Sequence, residues 1–231
     1  MRITDGILVL GGTGPTGTLV MQGLRGIGTP VTAILRSSAR QAELETLGIK
    51  VILGDAMDRN SVFQAVSAAA ADCSLVLNLL GGNPFADPAT WPDLEGVNNV
   101  TDAAVAAGIK RYVLVTSVGT GASWQYVPET AGYIKPIIEL KTQAEAYLKN
   151  TDLDWTIIKP GGLGPPDYEF QRGKALITEN HGVRGLIDRE DLAEVLLEVL
   201  SAAPETILHK ELYAVVERIE HHAGEPREFK L

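Results

Sequence analysis

Apolar residues cluster along the chain in short runs, at positions 7–10, 31–35, 50–53, 75–79, 112–115, 155–158 and 212–216. The runs are rich in β-branched residues and leucine and are nearly continuous rather than alternating, the pattern of parallel strands covered on both faces. Between them, apolar residues recur at helical spacing and predict helices over 16–26, 61–71, 97–107, 136–149 and 188–201. Alternating strand and helix predicts an α/β fold: a doubly wound parallel sheet with right-handed crossovers, in one domain covering residues 1–217. Residues 218–231 are polar and read as a loose tail.

Three connections, 82–96, 119–133 and 161–180, are longer than crossover loops usually are, and each follows the carboxyl end of a predicted strand. Ligands of such sheets bind outside that edge, so these loops are the natural walls of a cleft. They hold Phe85, Trp91, Trp124, Tyr126, Tyr133, Tyr168 and Phe170, more than half of the chain's three Trp, six Tyr and four Phe. Such rings either line a pocket for a flat ligand or pack the loops shut on themselves.

The first strand runs into Gly11-Gly12-Thr13-Gly14-Pro15-Thr16-Gly17, which places Gly11, Gly14 and Gly17 at a strand-to-helix turn. The first glycine permits the tight turn, the second lets backbone N–H groups approach a pyrophosphate, and the third lets the helix pack closely on the sheet. The helix N-terminus then adds partial positive charge. In the first βαβ unit of an alternating chain this motif points to a dinucleotide site, making the fold Rossmann-type. At the end of the second strand, where an NAD site usually carries an acid for the ribose, the chain has Leu35-Arg36-Ser37-Ser38, with Arg40 close behind. A guanidinium fork suits a 2′-phosphate, which favours NADP; the alternative is a solvated basic turn. Gly54-Asp55 ends the third strand and Leu79-Leu80-Gly81-Gly82 the fourth.

Composition narrows the partners. The 231 residues are 45% hydrophobic and 21% charged, and 20 bases against 29 acids give a net charge of -9. That balance repels nucleic acid and anionic membrane surfaces. No apolar run approaches the roughly 20 residues needed to span a bilayer, so membrane insertion is not expected. Arg2 and Asp5 argue against a signal peptide, and the single Cys73 fits a reducing compartment, so a cytoplasmic location is expected. Cys73 has no histidine nearby in sequence and reads as structural. His181 and His209 are isolated, and the adjacent His221 and His222 point in different directions on a regular element, so no metal site is expected. Asp188, Glu190 and Asp191 read as first-turn acids of the last helix.

These residues, together with Val113-Leu114-Val115-Thr116-Ser117, Lys141 with Ala144-Glu145, the stretch WTIIKPGG from Trp155 to Gly162, and GLIDREDLAEV from Gly185 to Val195, resemble the atypical short-chain dehydrogenase/reductases. The similarity runs from residue 7 to about residue 216. It is greatest to the branch of NAD(P)-binding proteins that holds NmrA-like proteins and the biliverdin IXβ/flavin reductases. The resemblance implies that Gly11, Gly14 and Gly17, with Thr13, Pro15 and Thr16 between them, hold the pyrophosphate, that Arg36 meets the 2′-phosphate, and that Asp55 and Ala56 meet the adenine. It implies that Leu80 and Gly81 line the nicotinamide half, that Lys141 holds the nicotinamide ribose, and that Ser117 is the family's serine after the fifth strand. Pro160, Gly161 and Gly162 would pass beside the nicotinamide. Ser117 and Lys141 are accordingly the candidate catalytic residues.

The chain departs from that family at one position. Carbonyl-reducing members use Tyr-x-x-x-Lys, but four residues before Lys141 stands Ile137. The proton donor of ketone chemistry is absent from its place. Tyr133, just before the helix, is the nearest substitute. Lys141 itself falls within the apolar stripe Ile137, Leu140, Ala144 and Leu148, so it either finds an inward partner or snorkels to water. Two functions follow: an NADPH-dependent reductase of a planar conjugated acceptor (quinone, flavin or tetrapyrrole), or a catalytically silent NADP(H)-binding sensor or assembly factor. The three loops carry Asp87, Asp93, Glu95, Glu129, Asp167, Glu169 and Glu179 against Arg172 and Lys174. If those acids face the cleft, neutral quinones are favoured over anionic tetrapyrroles or FMN.

Overall fold

The computed structural model describes residues 6–164, 168–170 and 173–231; Arg2, Asp5, Asp167 and Arg172 lie outside the described residues. In chain order the elements are β1 (Gly6–Leu10), α1 (Pro15–Gly26), β2 (Val31–Leu35), α2 (Gln41–Thr46), β3 (Lys50–Leu53), α3 (Arg59–Ala69), β4 (Cys73–Asn78), α4 (Glu95–Ala106) and β5 (Arg111–Val115). There follow α5 (Lys135–Lys149), β6 (Asp154–Pro160), β7 (Leu176–Thr178), β8 (Val183–Leu186), α6 (Arg189–Ser201), α7 (Pro204–Ile207), β9 (Lys210–Val215) and β10 (Glu217–His221).

Every residue of β1 is buried because both faces of the strand are covered. Ile7 and Val9 pack into one core with Met21 and Leu24 of α1 and Leu196 and Val199 of α6. Leu8 and Leu10 point the other way, against Val62 of α3, Val100 of α4 and Leu148 of α5. Successive strand side chains alternate faces, so a continuous apolar run feeds two separate cores at once. The main sheet has the order β3-β2-β1-β4-β5-β6-β9-β7. All its pairings are parallel except the last, where β7 runs antiparallel to β9. This is the doubly wound Rossmann-type fold expected from the alternation.

Three features depart from the sequence reading. The short α2 lies between the second and third strands; it buries only Leu44, too little for a periodic signal. Loop 161–180 is not wholly irregular, because it contains β7. The polar tail from Arg218 is not loose. Its first residues form β10, which pairs antiparallel with β8, and further on the Phe229 amide donates to the Ile177 carbonyl at 2.6 Å. Backbone pairing holds this polar strand without an apolar face, which composition could not reveal. Among the described residues, no helix is long and apolar enough to cross a membrane.

In the sheet order, β1 lies between β2 and β4, so the chain leaves it toward one side and returns on the other. A crevice opens at such a reversal beyond the carboxyl ends of the strands.

Candidate functional site

The glycine turn fills that crevice from one side. Gly11 has φ +76°, a left-handed conformation, and a Cβ there would lie 2.6 Å from the Leu79 carbonyl oxygen. Only glycine lets the ends of β1 and β4 come so close. Gly14 is the N-cap of α1 and Pro15 occupies its first turn, where a missing N–H costs nothing. The amides of Thr16 and Gly17 in that turn have no intrahelical acceptor. A Cβ on Gly14 would meet only the Gly11 carbonyl oxygen, at 3.3 Å, so its outer side is open. A Cβ on Gly17 would lie 2.5 Å from that same oxygen and 2.7 Å from Gly12 Cα. Gly17 therefore lets the helix close on the turn itself rather than on the sheet.

A cleft of about 540 Å³ runs from this turn across the strand ends. Gly11, Thr13, Gly14, Arg36, Asp55, Ala56, Leu80 and Gly81 line it, so eight of the residues singled out from the sequence share one wall. Pro15, Thr16 and Gly17 stand behind it in α1. The two arginines after β2 divide their work. Arg40 is already engaged: its Nη1 donates to the Thr13 carbonyl at 2.9 Å and to Thr18 Oγ1 at 3.0 Å, while Nε and Nη2 grip the Glu43 carboxylate at 2.8 and 2.5 Å. It braces the glycine turn from below. Arg36 is exposed on the cleft wall and pairs with nothing among the described residues. Asp55 Oδ1 accepts from the Met57 amide at 2.9 Å, and Asn99 Nδ2 donates to the Ala56 carbonyl at 2.9 Å, which sets the shape of the loop after β3.

Beside the cleft residues Leu80 and Gly81, the sequence left Lys141 in need of a partner. The partner is Asp93, from loop 82–96. Lys141 Nζ lies 2.9 Å from Asp93 Oδ1 and 3.3 Å from the Leu80 carbonyl oxygen, and Asp93 Oδ2 accepts from the Gly82 amide at 2.7 Å. Asp93 is fully buried and the lysine side chain only 12% exposed. A Cβ on Gly81 would come within 3.5 Å of Nζ, so the ammonium lies close to this cleft residue. Asn78 completes the support. Its Oδ1 accepts from the Leu80 amide at 2.9 Å while its Nδ2 donates to the Tyr112 hydroxyl at 2.8 Å. Burial pushes the Tyr112 phenol up to about 12, against the opposing hydrogen bonds from Asn78 and Thr101. Loop 79–82 is thus held by groups from β4, β5, α5 and loop 82–96, and Asp93 belongs to that support rather than to a surface field of acids.

Ile137 stands one turn before Lys141 on α5 and is buried, so the place of the family tyrosine is filled by a hydrocarbon. Tyr133 does not replace it. Its ring is 61% exposed and stacks on Phe85, centroids 5.9 Å apart and planes 12° from parallel. Ser117 follows β5 and is half-buried. Pro160, Gly161 and Gly162 are committed to the sheet edge. The Pro160 carbonyl accepts from the Val118 amide, the Gly161 amide donates to Ala214, and the Gly162 amide donates to Gly185. A Cβ on Gly161 would lie 2.5 Å from the Gly185 carbonyl oxygen, so close backbone packing suffices to require that glycine. Ser117, Lys141 and the segment 160–162 do not line the 540 Å³ cleft.

The structure also contains a buried ionic network that the sequence did not announce, although Thr116, Glu145 and Lys159 lie inside the quoted stretches. Lys159, fully buried on β6, donates to Glu145 Oε2 at 2.8 Å and to Glu211 Oε2 at 2.6 Å. Thr116 and Thr120 each place Oγ1 2.6 Å from Glu145 Oε1. Glu211 is shared with Lys149. Burial pulls the Lys159 ammonium down, but the charges of Glu145 and Tyr213 and the hydrogen bonds to Glu145 and Glu211 outweigh it, leaving its pKa above the usual lysine value. Burial likewise pushes Glu211 up, but Lys149 and Lys159 overcome that and hold it below the usual carboxylate value. Thr116 and Thr120 bracket Ser117, so this network anchors the turn after β5 from beneath.

Other candidates resolve simply. Cys73 is buried at the start of β4, and burial raises its thiol pKa, the opposite of an activated nucleophile. His222 stacks on Tyr126 and lies 3.1 Å from Glu220. Among the described residues no cluster of His, Cys, Asp or Glu has metal-site geometry. Asp188 caps α6, its Oδ1 accepting from the Asp191 amide at 2.6 Å.

Comparison with known proteins agrees with this geometry. ChuY, an anaerobillin reductase from Escherichia coli O157:H7, superposes with a TM-score of 0.79 at 29% identity, covering 94% of this chain and all of that one. The 3-diazoavenalumate denitrifying reductase of a Streptomyces species is 30% identical over 188 residues, 72% of this chain and 59% of that protein. The photosystem II assembly factor Ycf39 of Cyanophora paradoxa is 27% identical over 159 residues, 68% of this chain and 45% of that protein. The chain thus spans about three fifths and under half the length of those two relatives. The model of the NAD(P)H-binding family matches residues 11–203, from the glycine turn to the end of α6. The chain belongs to this NAD(P)H-binding family, within the NmrA-like branch of the atypical short-chain dehydrogenase/reductases.

Proposed function

We propose that the protein is an NADPH-dependent reductase that passes hydride to a planar conjugated acceptor such as a quinone, flavin or tetrapyrrole. The observation that carries this reading is the pairing of Lys141 beside the cleft with the buried Ile137 one turn away. A ketone needs an acid poised at its oxygen as hydride arrives. A conjugated acceptor spreads the developing charge over its ring system, and solvent supplies the proton. When bound, the cofactor supplies the hydride. The residues of the chain bind and orient: the amides of the first turn of α1 and the open side of Gly14 suit a pyrophosphate, and Lys141, fixed by Asp93 and the Leu80 carbonyl, suits a ribose hydroxyl. Similarity to the ChuY reductase supports the reaction class. Oxidation of NADPH by a panel of neutral quinones, FMN and biliverdin tests the proposal, and no turnover of any of them overturns it.

The exposed guanidinium of Arg36, without a partner among the described residues, supports NADPH over NADH. A charge-assisted hydrogen bond contributes about 1.5 to 3 kcal/mol, or roughly one to two decades in affinity. Arg36→Ala is expected to weaken NADPH binding by that factor and leave NADH binding unchanged, as measured by calorimetric titration. Equal affinities of the unaltered protein for the two cofactors would remove the argument.

The second reading is a silent NADP(H)-binding module acting in assembly, favoured by the same Ile137 and by the similarity to Ycf39. It predicts tight NADPH binding with no acceptor-dependent oxidation.

A further inference from the structure

Phe85 and Tyr133 form the most exposed aromatic contact among the described residues, at 84% and 61% exposure, with near-parallel rings. The pair joins loops that are distant in sequence. Phe85 follows Gly82, whose amide is held by Asp93, by three residues, and Tyr133 stands two residues before α5, the helix that carries Lys141. Asn83 and Ala86, which bracket Phe85 in sequence, line the cleft, so the stacked pair stands at its rim. From this we infer that the Phe85–Tyr133 pair is the binding clamp for the acceptor's flat, uncharged conjugated ring. The inference rests on the reductase reading and extends it to the acceptor site.

Three physical points carry it. First, large apolar rings left in water forgo the burial that normally retains them, and a stack of two recovers only part of it. Second, a ring held between two others needs about 7 Å between their planes, two carbon contact distances, so the two rings must part from their present stack, in which the centroids are 5.9 Å apart. The parting exchanges one ring-to-ring contact for two ring-to-ligand contacts, so the occupied clamp loses no stacking. Third, the nearby charges disfavour an anion. Asp87 lies two residues from Phe85 and Glu129 four from Tyr133, while Lys135, two residues from Tyr133, is 3.5 Å from Glu129 and lies over the Trp124 ring. Asp87 and Glu129 are exposed, so the repulsion is screened by salt.

The test measures binding apart from turnover. Menadione, a neutral naphthoquinone, is titrated in equilibrium dialysis against the protein saturated with NADP+, so that no hydride is available. Phe85→Ala and Tyr133→Ala are each expected to raise its Kd about tenfold, with the double variant little worse than either alone because one ring cannot clamp. Tyr133→Phe should bind as the unaltered protein does, since stacking needs the ring and not the hydroxyl. Both residues are exposed, so the melting temperature and NADP+ affinity should be unchanged. FMN should bind more weakly than menadione at low salt, the gap narrowing as salt is added. Menadione affinity within twofold of the unaltered protein in both alanine variants overturns the clamp, and so does tighter binding of FMN at low salt. Clamp-dependent binding without turnover would leave the clamp standing and remove the reductase reading. Turnover with KM unchanged in the variants would do the reverse.

Discussion

Gly14→Val is expected to weaken NADPH binding by more than a hundredfold, above about 2.8 kcal/mol, while leaving the sheet folded. The reason is the asymmetry of the space around it. A Cβ at Gly14 meets one carbonyl oxygen at 3.3 Å, a contact that a small shift relieves, and the rest of the side chain enters the cleft where a pyrophosphate would lie. Gly17→Val should do the opposite. There a Cβ would sit 2.5 and 2.7 Å from backbone atoms that cannot move without opening the turn, so folding should fail before binding can be measured. Circular dichroism melting combined with calorimetric titration separates the two. A Gly14→Val protein that keeps its affinity would place the phosphate site elsewhere, and a Gly17→Val protein that melts normally would refute the close packing of turn and helix.

Lys159→Met should lower stability by about 3 to 5 kcal/mol, the cost of leaving one partner of a buried pair uncompensated. For a chain of this size that corresponds to a fall of roughly 6 to 20 °C in Tm. Glu145 would keep its two threonine contacts and lose its counter-ion. The double variant Lys159→Met/Glu145→Gln should recover most of the loss, because neither side chain is then charged and a glutamine oxygen still accepts from Thr116 and Thr120. The effect should depend on pH in a definite sense. The Glu211 pKa is depressed when folded, so its contribution is full above the ordinary value of 4.5 and is lost as pH falls through the folded value. The Lys159 pKa is raised when folded, so its contribution is full below the ordinary value of 10.5 and is lost as pH rises through the folded value. The Tm gap between the unaltered protein and Lys159→Met should therefore be widest between about pH 5 and 10 and narrow on both sides. A gap under 2 °C at neutral pH, or a double variant as unstable as the single one, would contradict this account.

Much of the molecule was legible in the sequence because its determinants are local. Continuous apolar runs announce strands buried on both faces, and helical spacing between them announces the crossovers, so all seven predicted strands and all five predicted helices are present within a few residues of their expected limits. The glycine turn was legible for the same reason: a left-handed residue at Gly11 and an N-cap at Gly14 are requirements of consecutive backbone units. The replacement of the family tyrosine by Ile137 needed only the helical register with Lys141.

The remaining features depend on which distant segments meet. Sequence could say that Lys141 faced inward, but its partner Asp93 lies on another loop and counted there as one more surface acid. The same limit hid the Lys159, Glu145 and Glu211 network, whose members come from β6, α5 and β9 and become a buried cluster only when those elements pack. It also separated two neighbouring arginines that look alike in sequence, since tertiary contacts commit Arg40 to Thr13 and Glu43, whereas Arg36 lines the cleft with no partner among the described residues. A polar segment gave no sign of pairing because the β10 ladder with β8 uses backbone groups that every residue carries. Local propensity and spacing determined the framework and the glycine turn before α1, whereas the partner of each buried charge and the meeting of Phe85 with Tyr133 were decided by the tertiary fold, because a charge or an aromatic face carries no record of which distant group will come to lie against it.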